Sequence, residues 1–241
     1  MRTAGLLLLV ASGALSFCLT LVVRALARRH RFLDEPDGRK THARAVPYGG
    51  GIAIVVATVL PLAAVAAVLL LLDGPARPAW FPESIHRDLA AHVSGAISKL
   101  PQLGALLAGG LVIFALGLLD DRRRLGPWIK LVVQIVVAVG VAAAGIRVTV
   151  FLHSEILGAL LTVVWIVVIT NAFNFMDNMD GLSAGVALII GVIFVTVAAQ
   201  SGQLFIALAL VPFVGALAGF LPFNYAPATI FMGDAGSLFL G

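Results

Sequence analysis

Five polar side chains crowd one stretch of an otherwise apolar sequence, residues 171–185, which read NAFNFMDNMDGLSAG. They are Asn171, Asn174, Asp177, Asn178 and Asp180. At about 100° per residue on a helix, the five fall within about half of the circumference and form one polar face. Polar and ionisable groups beside hydrocarbon are costly and usually functional. The pattern predicts a binding or catalytic site, and the alternative is a polar loop that merely reaches water.

A pair of adjacent carboxylates, Asp120 and Asp121, ends another apolar run. Two such groups repel each other unless a cation or an arginine holds them. Mg²⁺ is typically bound by one or two carboxylates together with phosphate oxygens of a substrate. The pair therefore predicts metal-assisted phosphate chemistry, and the alternative is a solvated helix end balanced by the three arginines at 122–124.

Lys130 lies one turn into the next apolar run. Its ammonium group could bind a phosphate as a point charge, or it could extend to the membrane interface without a ligand. Gln134 follows four residues later, so both side chains can face the same bundle interior.

Two further segments combine glycines with groups that suit a phosphate ligand. Lys40 and His42 precede the glycines at 49–51, which allow a backbone or ligand to approach closely. This is no Walker loop, because the Gly-Lys-Ser/Thr ending is missing, and membrane anchoring is the alternative. Asp234 could cap a following helix or hold Mg²⁺ beside a phosphate at its N-terminus, while Phe231 could stack on a nucleobase or pack in the core.

The composition decides which elements position these residues. Of 241 residues, 61% are hydrophobic and only 12% are charged, and the mean hydropathy is +1.07. A soluble domain is about half apolar and about a quarter charged. Membrane-spanning strands would alternate polar and apolar residues, whereas these runs are continuously apolar, which predicts an all-α, polytopic transmembrane helix bundle.

Cys18 is the single cysteine, which excludes a disulfide framework, and no basic motif indicates nucleic-acid binding.

About seven complete spans and the start of an eighth are predicted, because runs of about 17–25 apolar residues suffice to cross a bilayer. The arginines that follow the first run argue against a cleaved signal peptide. The chain is interpreted as one membrane domain, 1–241, with active-site loops at 24–49, 120–130, 171–183 and 222–237. The predicted spans are Ala4–Val23, Gly50–Leu72, Leu103–Leu119, Trp128–Ala144, Ile156–Ala172, Leu182–Ala199 and Leu204–Leu221, with the eighth beginning near Ser237.

Positive charge predicts the orientation. Eleven lysines and arginines fall at the junctions after the first and third spans, and five fall on the other side. The polar segments are separated from one another by two spans each, so all of them face one compartment. We therefore expect a cytoplasmic site in the inner or plasma membrane, with the N-terminus outside and His86, His92 and His153 on the opposite side from the site.

Four segments, taken together, resemble the cytoplasmic signatures of a known family. The chain is similar to the polyprenyl-phosphate N-acetylhexosamine-1-phosphate transferases, of glycosyltransferase family 4. The resemblance extends from about Arg39 to Gly241, and its first segment resembles the GlcNAc-1-phosphate branch more than the phospho-N-acetylmuramoyl-pentapeptide branch. The segments read RKTHARAVPYGGGIAI, LGLLDDRRRLGPWIKLVVQ, NAFNFMDNMDGLSAG and ATIFMGDAGSLFLG.

The resemblance implies a role for each candidate. Asn174 and Asp234 would hold Mg²⁺, with Mn²⁺ as an alternative. Asp120, Asp121 and Asp177 would be catalytic, one of them as the base that activates the lipid phosphate. The substrate-binding residues would be Lys40, His42, Lys130 for the diphosphate, Asn171, Asp180 for the base and Phe231 for stacking on uracil.

The implied reaction moves N-acetylhexosamine 1-phosphate from a UDP-N-acetylhexosamine to polyprenyl (undecaprenyl) phosphate and releases UMP. Pentapeptide-sugar transfer, a secondary transporter and an inactive fragment are the alternatives, and a homodimer is left open. The small residues at 215–219 are expected to help form a groove for the isoprenoid tail. Two departures matter: the family often has Asp-Gly-x-Asp at 177–180, and it continues beyond position 241. The chain is therefore expected to be C-terminally truncated, and the 241 residues alone to be inactive.

Overall fold

The computed structural model describes residues 2–34, 45–72, 93–149 and 154–241. In these ranges the chain forms long helices connected by short turns, with a helical turn at 93–97 ahead of α3. The helices are α1 Arg2–Arg29, α2 Gly50–Leu72, α3 Leu100–Arg123, α4 Pro127–Ala143, α5 Glu155–Met176, α6 Leu182–Gln200, α7 Leu204–Asn224 and α8 Gly233–Leu240.

Six of these helices, α1, α2, α3, α5, α6 and α7, are long and apolar enough to cross a membrane. The remaining predicted span, α4, is an apolar helix of 17 residues, about 26 Å long at the usual rise, which is at the short end of what a bilayer requires. The prediction of an all-α polytopic membrane bundle is confirmed.

Helix α7 lies at the centre of the bundle and packs against α1, α2 and α6. Leu217 and Phe220 on α7 are fully buried. A Cβ atom added to Gly219 would meet the carbonyl oxygen of Gly13 on α1, and the adjacent Ala216 carbonyl accepts a 2.6 Å hydrogen bond from a serine of α1. Gly219 and Ala216 therefore pack against α1, whereas Ala218 is exposed, and the expected isoprenoid groove stays a prediction.

The short helix α8 sits between α2, α3 and α5. A Cβ atom at Gly117 of α3 would lie 2.6 Å from the Cα of Ala235, and one at Gly51 of α2 would lie 2.6 Å from the Cα of Gly236. Glycines at these positions let the α8 backbone touch both neighbouring helices, which fixes α8 at the end of the bundle.

Extended segments join the start of α8 to the start of α2. Strand β1 (Leu33–Asp34) pairs antiparallel with β2 (Val46–Pro47). Beyond β2, the amide of Phe231 donates to the Pro47 carbonyl at 2.8 Å, and the amide of Gly50 donates to the Phe231 carbonyl at 2.9 Å. The loop before α8 thus continues the two-stranded ladder and is held in place by it.

Several helix boundaries differ from the prediction. Helix α5 continues to Met176, so Asn171 and Asn174 lie on its last turns and not in a loop, and the predicted polar face at 171–180 ends with the helix. Helix α8 begins at Gly233 and not at Ser237, which places Asp234 inside its first turn. Hydropathy could not locate these helix ends. Each helix extends past its apolar run into residues whose polar side chains face the protein interior, and such residues do not register as part of a hydrophobic segment.

Candidate functional site

Lys130 connects two carboxylates that are far apart in the sequence. Its Nζ atom donates to Asp120 Oδ2 at 2.7 Å and to Asp234 Oδ2 at 3.1 Å. Asp120 is on the last turn of α3, Lys130 is on the first turn of α4, and Asp234 is on the first turn of α8. The structure therefore brings these three predicted residues into one cluster.

Asp120 also holds the turn that aims Lys130. Its second oxygen accepts a hydrogen bond from the amide of Leu125, in the connection between α3 and α4. Arg124 ends α3 in the left-handed conformation, and Pro127 begins α4, as prolines at the first helical position commonly do. Asp120 is only 8% exposed, and both of its oxygens accept hydrogen bonds from groups of the protein.

Asn174 contributes the fourth helix of the cluster, α5. Its amide nitrogen donates to Asp234 Oδ1 at 2.9 Å and to the hydroxyl of Ser237 at 3.0 Å. Both oxygens of Asp234 are thus engaged, one by α4 and one by α5, while about a third of its side chain is exposed. Asp234 is the point at which α4, α5 and α8 meet at an accessible surface.

Asp121 faces the backbone of α8. Its two oxygens accept hydrogen bonds from the amides of Asp234, at 2.7 Å, and Ala235, at 3.2 Å. These amides belong to the first turn of α8, whose N–H groups have no partner within the helix itself. Asp121 therefore caps a helix that is 113 residues away in the sequence.

The turn after α5 brings Asp177 and Asp180 to the same end of the bundle. Burial raises the pKa of Asp177 well above its ordinary value, and the nearby charges of Asp234, Asp121 and Asp180 raise it further. Asp180 is exposed, and one of its oxygens accepts a hydrogen bond from the amide of Ala228 at 2.8 Å. This bond ties the turn to the loop before α8; the predicted contact of Asp180 with a base stays a prediction.

The cluster contains more carboxyl groups than cationic groups. Burial raises the pKa of Asp234, as does its hydrogen bond with Asp120, whereas Asn174 and Lys130 favour the ionised form. Within the described part of the chain, no three acidic, histidine or cysteine side chains converge on a metal position by themselves. The oxygen-rich donor set nevertheless suits Mg²⁺, which commonly takes one or two carboxylates and completes its shell with water and phosphate. Lys130 faces Asp120 and Asp234, and the charges that act on nearby Asp177 are those of Asp234, Asp121 and Asp180.

Tyr48 is a residue of the site that the sequence analysis missed. Its hydroxyl donates to the buried carboxylate of Asp34, and burial, followed by the charge of Asp34, raises its pKa. Its ring centroid lies 5.7 Å from that of Phe32 and 6.1 Å from that of Phe231. An aromatic residue directly before three glycines was the available signal.

Phe231 is half-buried, and the structure places it beside Tyr48 at the edge of the cluster. Its backbone amide and carbonyl form the hydrogen bonds to Pro47 and Gly50 described above, while its ring packs beside the ring of Tyr48. The predicted stacking of Phe231 on uracil is not tested by this position and stays a prediction.

Asn171 points towards α4. Its amide nitrogen donates to the side-chain oxygen of Gln134 and to the carbonyl of Val167, the latter at 2.8 Å. Gln134 is 1% exposed, and its own amide nitrogen has no partner among the described residues. Asn171 therefore joins α5 to α4, and its predicted role in binding substrate has no separate support from these contacts.

Two predicted substrate-binding residues, Lys40 and His42, lie outside the described residues, as do His86, His92 and His153. The predictions for these five residues stay predictions.

Comparison with known proteins places this geometry in context. The sequence profile of glycosyl transferase family 4 matches residues 103–241. The chain is 34% identical over 233 residues to a probable undecaprenyl-phosphate N-acetylglucosaminyl 1-phosphate transferase of Bacillus subtilis (strain 168), covering 92% of this chain and 56% of that protein. It is 30% identical over 227 residues to the undecaprenyl-phosphate alpha-N-acetylglucosaminyl 1-phosphate transferase of Thermotoga maritima, covering 94% of this chain and 60% of that protein.

A second branch is also similar over a shorter region. A phospho-N-acetylmuramoyl-pentapeptide-transferase of Limosilactobacillus fermentum is 35% identical over 158 residues, covering 58% of this chain and 48% of that protein. The chain spans a little more than half the length of the curated relatives that it matches along most of its length.

Proposed function

Because the chain belongs to glycosyl transferase family 4, we propose that it transfers N-acetylhexosamine 1-phosphate, and GlcNAc 1-phosphate in particular, from a UDP-sugar to polyprenyl phosphate. The names of the relatives that match over most of the chain support this donor and acceptor. The observation that carries the proposal is the cluster in which Lys130 bridges Asp120 and Asp234 at one end of a membrane bundle.

Lys130 is the group that would bind the donor's diphosphate. A lysine ammonium has three N–H donors, and within the described residues Asp120 and Asp234 accept two of them. The remaining donor can meet a phosphate oxygen without breaking either ion pair. The two carboxylates would hold the ammonium in place and keep it charged while the phosphate arrives.

Asp234 and Asn174 are the residues that would hold Mg²⁺, or Mn²⁺ in its place. The side-chain amide of Asn174 already contacts Asp234. Rotating this amide group to exchange its oxygen and nitrogen would place the oxygen beside the Asp234 carboxylate, where both could bind the ion. Such an ion, when bound, offsets the charge of the diphosphate and stabilises the charge that develops on the departing UMP. The excess of carboxylates in the cluster supports this assignment.

The bond changes of the proposed reaction are simple. An oxygen of the polyprenyl phosphate forms a bond to the β-phosphorus of the UDP-sugar, and the bond from that phosphorus to the bridging oxygen breaks and releases UMP. Direct attack and a double displacement through an aspartyl phosphate both conserve atoms and charge, so the proposal includes both routes.

The cellular setting is part of the same proposal. A lipid phosphate acceptor requires a site at the membrane boundary, and the cluster lies at the ends of α3 and α5, two of the membrane-spanning helices. From the charge bias we place this boundary on the cytoplasmic side of the inner or plasma membrane, with the N-terminus outside. The product would enter the synthesis of a cell-wall or surface polysaccharide.

The test uses the protein expressed from its complete reading frame and purified in detergent. With undecaprenyl phosphate and Mg²⁺, we expect UMP release from UDP-GlcNAc, and little from UDP-MurNAc-pentapeptide. Asp234→Asn should remove turnover, because loss of a metal contact costs several kcal/mol of transition-state stabilisation. The protein should remain folded in detergent.

Two outcomes would contradict this proposal. Faster turnover of UDP-MurNAc-pentapeptide than of UDP-GlcNAc would indicate a phospho-N-acetylmuramoyl-pentapeptide transferase instead. An Asp234→Asn variant within about threefold of the wild-type rate would reduce Asp234 to a stabiliser of its helix, since capping contributes only about 1 kcal/mol to stability.

A further inference from the structure

The N-terminus of α8 is already occupied by a carboxylate of the protein. The amides of Asp234 and Ala235 donate to the two oxygens of Asp121. Free N–H groups at a helix N-terminus attract phosphate, and the sequence led us to expect that the donor's diphosphate would bind there. With Asp121 in this position, those two amides are not available to a substrate, so the diphosphate must bind elsewhere in the cluster.

The backbone around this contact is shaped to admit Asp121. Gly233 has a φ of +76°, and a Cβ atom there would lie 2.6 Å from Asp121 Oδ2. One turn before Asp121, Gly117 lets the backbone at Asp234 and Ala235 rest directly on α3. A glycine is thus needed on each side of the contact for the carboxylate to reach the helix end.

The contact fixes the residue at the centre of the cluster. Asp121 holds the main chain of Asp234, while Lys130 and Asn174 hold its two side-chain oxygens. Three helices therefore determine both the position and the direction of the Asp234 carboxylate. Without Asp121, the first turn of α8 would be free to fray, and Asp234 would lose its fixed distance to Lys130.

The acceptor's chemistry does not require Asp121 as a base. A phosphate monoester has a second pKa of about 6, so at neutral pH it carries mostly two charges and can attack without giving up a proton. We infer that Asp121 is a positioning residue, which caps α8 and thereby aims Asp234 at Lys130 and the substrate, and that it removes no proton during the reaction. This inference rests on the proposed transferase function.

Two substitutions separate positioning from proton removal. Asparagine keeps one acceptor oxygen, which can still take the amide of Asp234, but its NH2 group cannot accept from Ala235 and it cannot act as a carboxylate base. Alanine can neither cap the helix nor act as a base. The experiment compares Asp121→Asn, Asp121→Ala and the wild type, with Arg123→Ala as the matched control, since Arg123 is exposed on the same helix end. Hydrogen exchange of the amides at 233–237 reports the cap, and kcat and KM for UDP-GlcNAc report the reaction.

For the control, we expect amide exchange and kcat close to wild type. For Asp121→Asn, which keeps one of the two acceptors, exchange should lie between those of the wild type and Asp121→Ala, and kcat should stay within about tenfold of wild type. For Asp121→Ala, exchange at 233–237 should become about 5- to 30-fold faster, because the cap is lost. Its kcat should fall by about a hundredfold, with little change in KM, because a misplaced catalytic group chiefly affects the transition state.

Two outcomes would overturn the inference. Unchanged exchange in Asp121→Ala would show that Asp121 does not cap α8. An Asp121→Asn variant with protected amides and a kcat as low as that of Asp121→Ala would show that the carboxylate itself does chemistry. If the wild type released no UMP, the proposed function would fail, while the exchange measurements would still decide whether the cap exists. If the alanine variant did not fold, the asparagine variant would carry the comparison alone.

Discussion

Lys130 shows how single residues set the chemistry of this cluster. Its ammonium lies between carboxylates contributed by α3 and α8, and a partly buried charge of this kind is tolerated only because it is paired. In the proposed reaction, the same pairing would prepare the lysine for a phosphate, since a bound phosphate would add a partner without removing one. The sequence pointed to Lys130 only by its place one turn into an apolar run. The structure adds the two carboxylates that fix the position of its ammonium group.

At the same scale, we predict an effect of Tyr48→Phe on stability. The change removes the hydroxyl that donates to buried Asp34, and loss of one partner of a buried acceptor costs about 1–3 kcal/mol. Thermal unfolding in detergent should therefore begin several degrees lower. Tyr225→Phe is the matched control, because Tyr225 is 71% exposed. Equal midpoints for the two variants would contradict the role given to Tyr48.

At the scale of elements, the packing of α8 decides whether the cluster exists. Helix α8 is eight residues long, and isolated helices of this length are unstable in water. It is held by the cap from Asp121, by the ladder at Phe231 and by backbone contacts to two glycines. Each of these supports comes from a distant part of the chain, so the cluster forms only when α2, α3 and α8 are packed together.

We predict that Gly117→Ala disrupts this packing. Its Cβ atom would meet the Asp234 carbonyl oxygen and lie 2.6 Å from the Cα of Ala235, both of them backbone atoms of α8. Overpacking of this kind typically costs about 1–3 kcal/mol, so both the unfolding midpoint and transferase activity should fall. Gly104→Ala on the same helix is the control, since a Cβ atom there has no neighbour within 4 Å. Wild-type behaviour of Gly117→Ala would contradict the close contact between α3 and α8.

The sequence predicted the elements better than it predicted their contacts. Continuous apolar runs located the long helices, because a bilayer demands them. The motifs pointed to Asp120, Lys130, Asn174 and Asp234, which the structure brings into one cluster. The capping of α8 by Asp121 and the position of Tyr48 could not be predicted, since both depend on how distant helices pack. For Asn171, the sequence predicted a substrate contact from the polarity of the side chain. In the structure, its amide instead contacts Gln134 and joins α5 to α4.

At the scale of the whole molecule, the site is formed by segments that meet at one end of the bundle. Parity explains this: with two spans between successive polar segments, each segment returns to the same side of the membrane. The excess of lysine and arginine at these junctions predicts that the side is cytoplasmic. The short turn at 201–203 between α6 and α7 should then face the opposite compartment.

Cysteine labelling tests this orientation. In a Cys18→Ala background, single cysteines at Arg123 and Asn178 should resist a membrane-impermeant reagent added to intact cells, whereas one at Gln203 should react. All three residues are exposed in the structure, so burial does not explain a difference. Labelling of Arg123→Cys or Asn178→Cys from outside would contradict a cytoplasmic site.

The fate of the β-phosphorus shows whether this protein transfers a sugar 1-phosphate. The protein, expressed from its complete reading frame, is incubated with UDP-GlcNAc labelled with 32P at the β-position, undecaprenyl phosphate and Mg²⁺. If the cluster around Lys130 transfers a sugar 1-phosphate, the label moves into the lipid fraction and unlabelled UMP is released in equal amount. Label that remains in UDP while the sugar appears on the lipid would indicate transfer of the sugar without its phosphate. Label that stays entirely in UDP-GlcNAc would show that the protein does not use this donor.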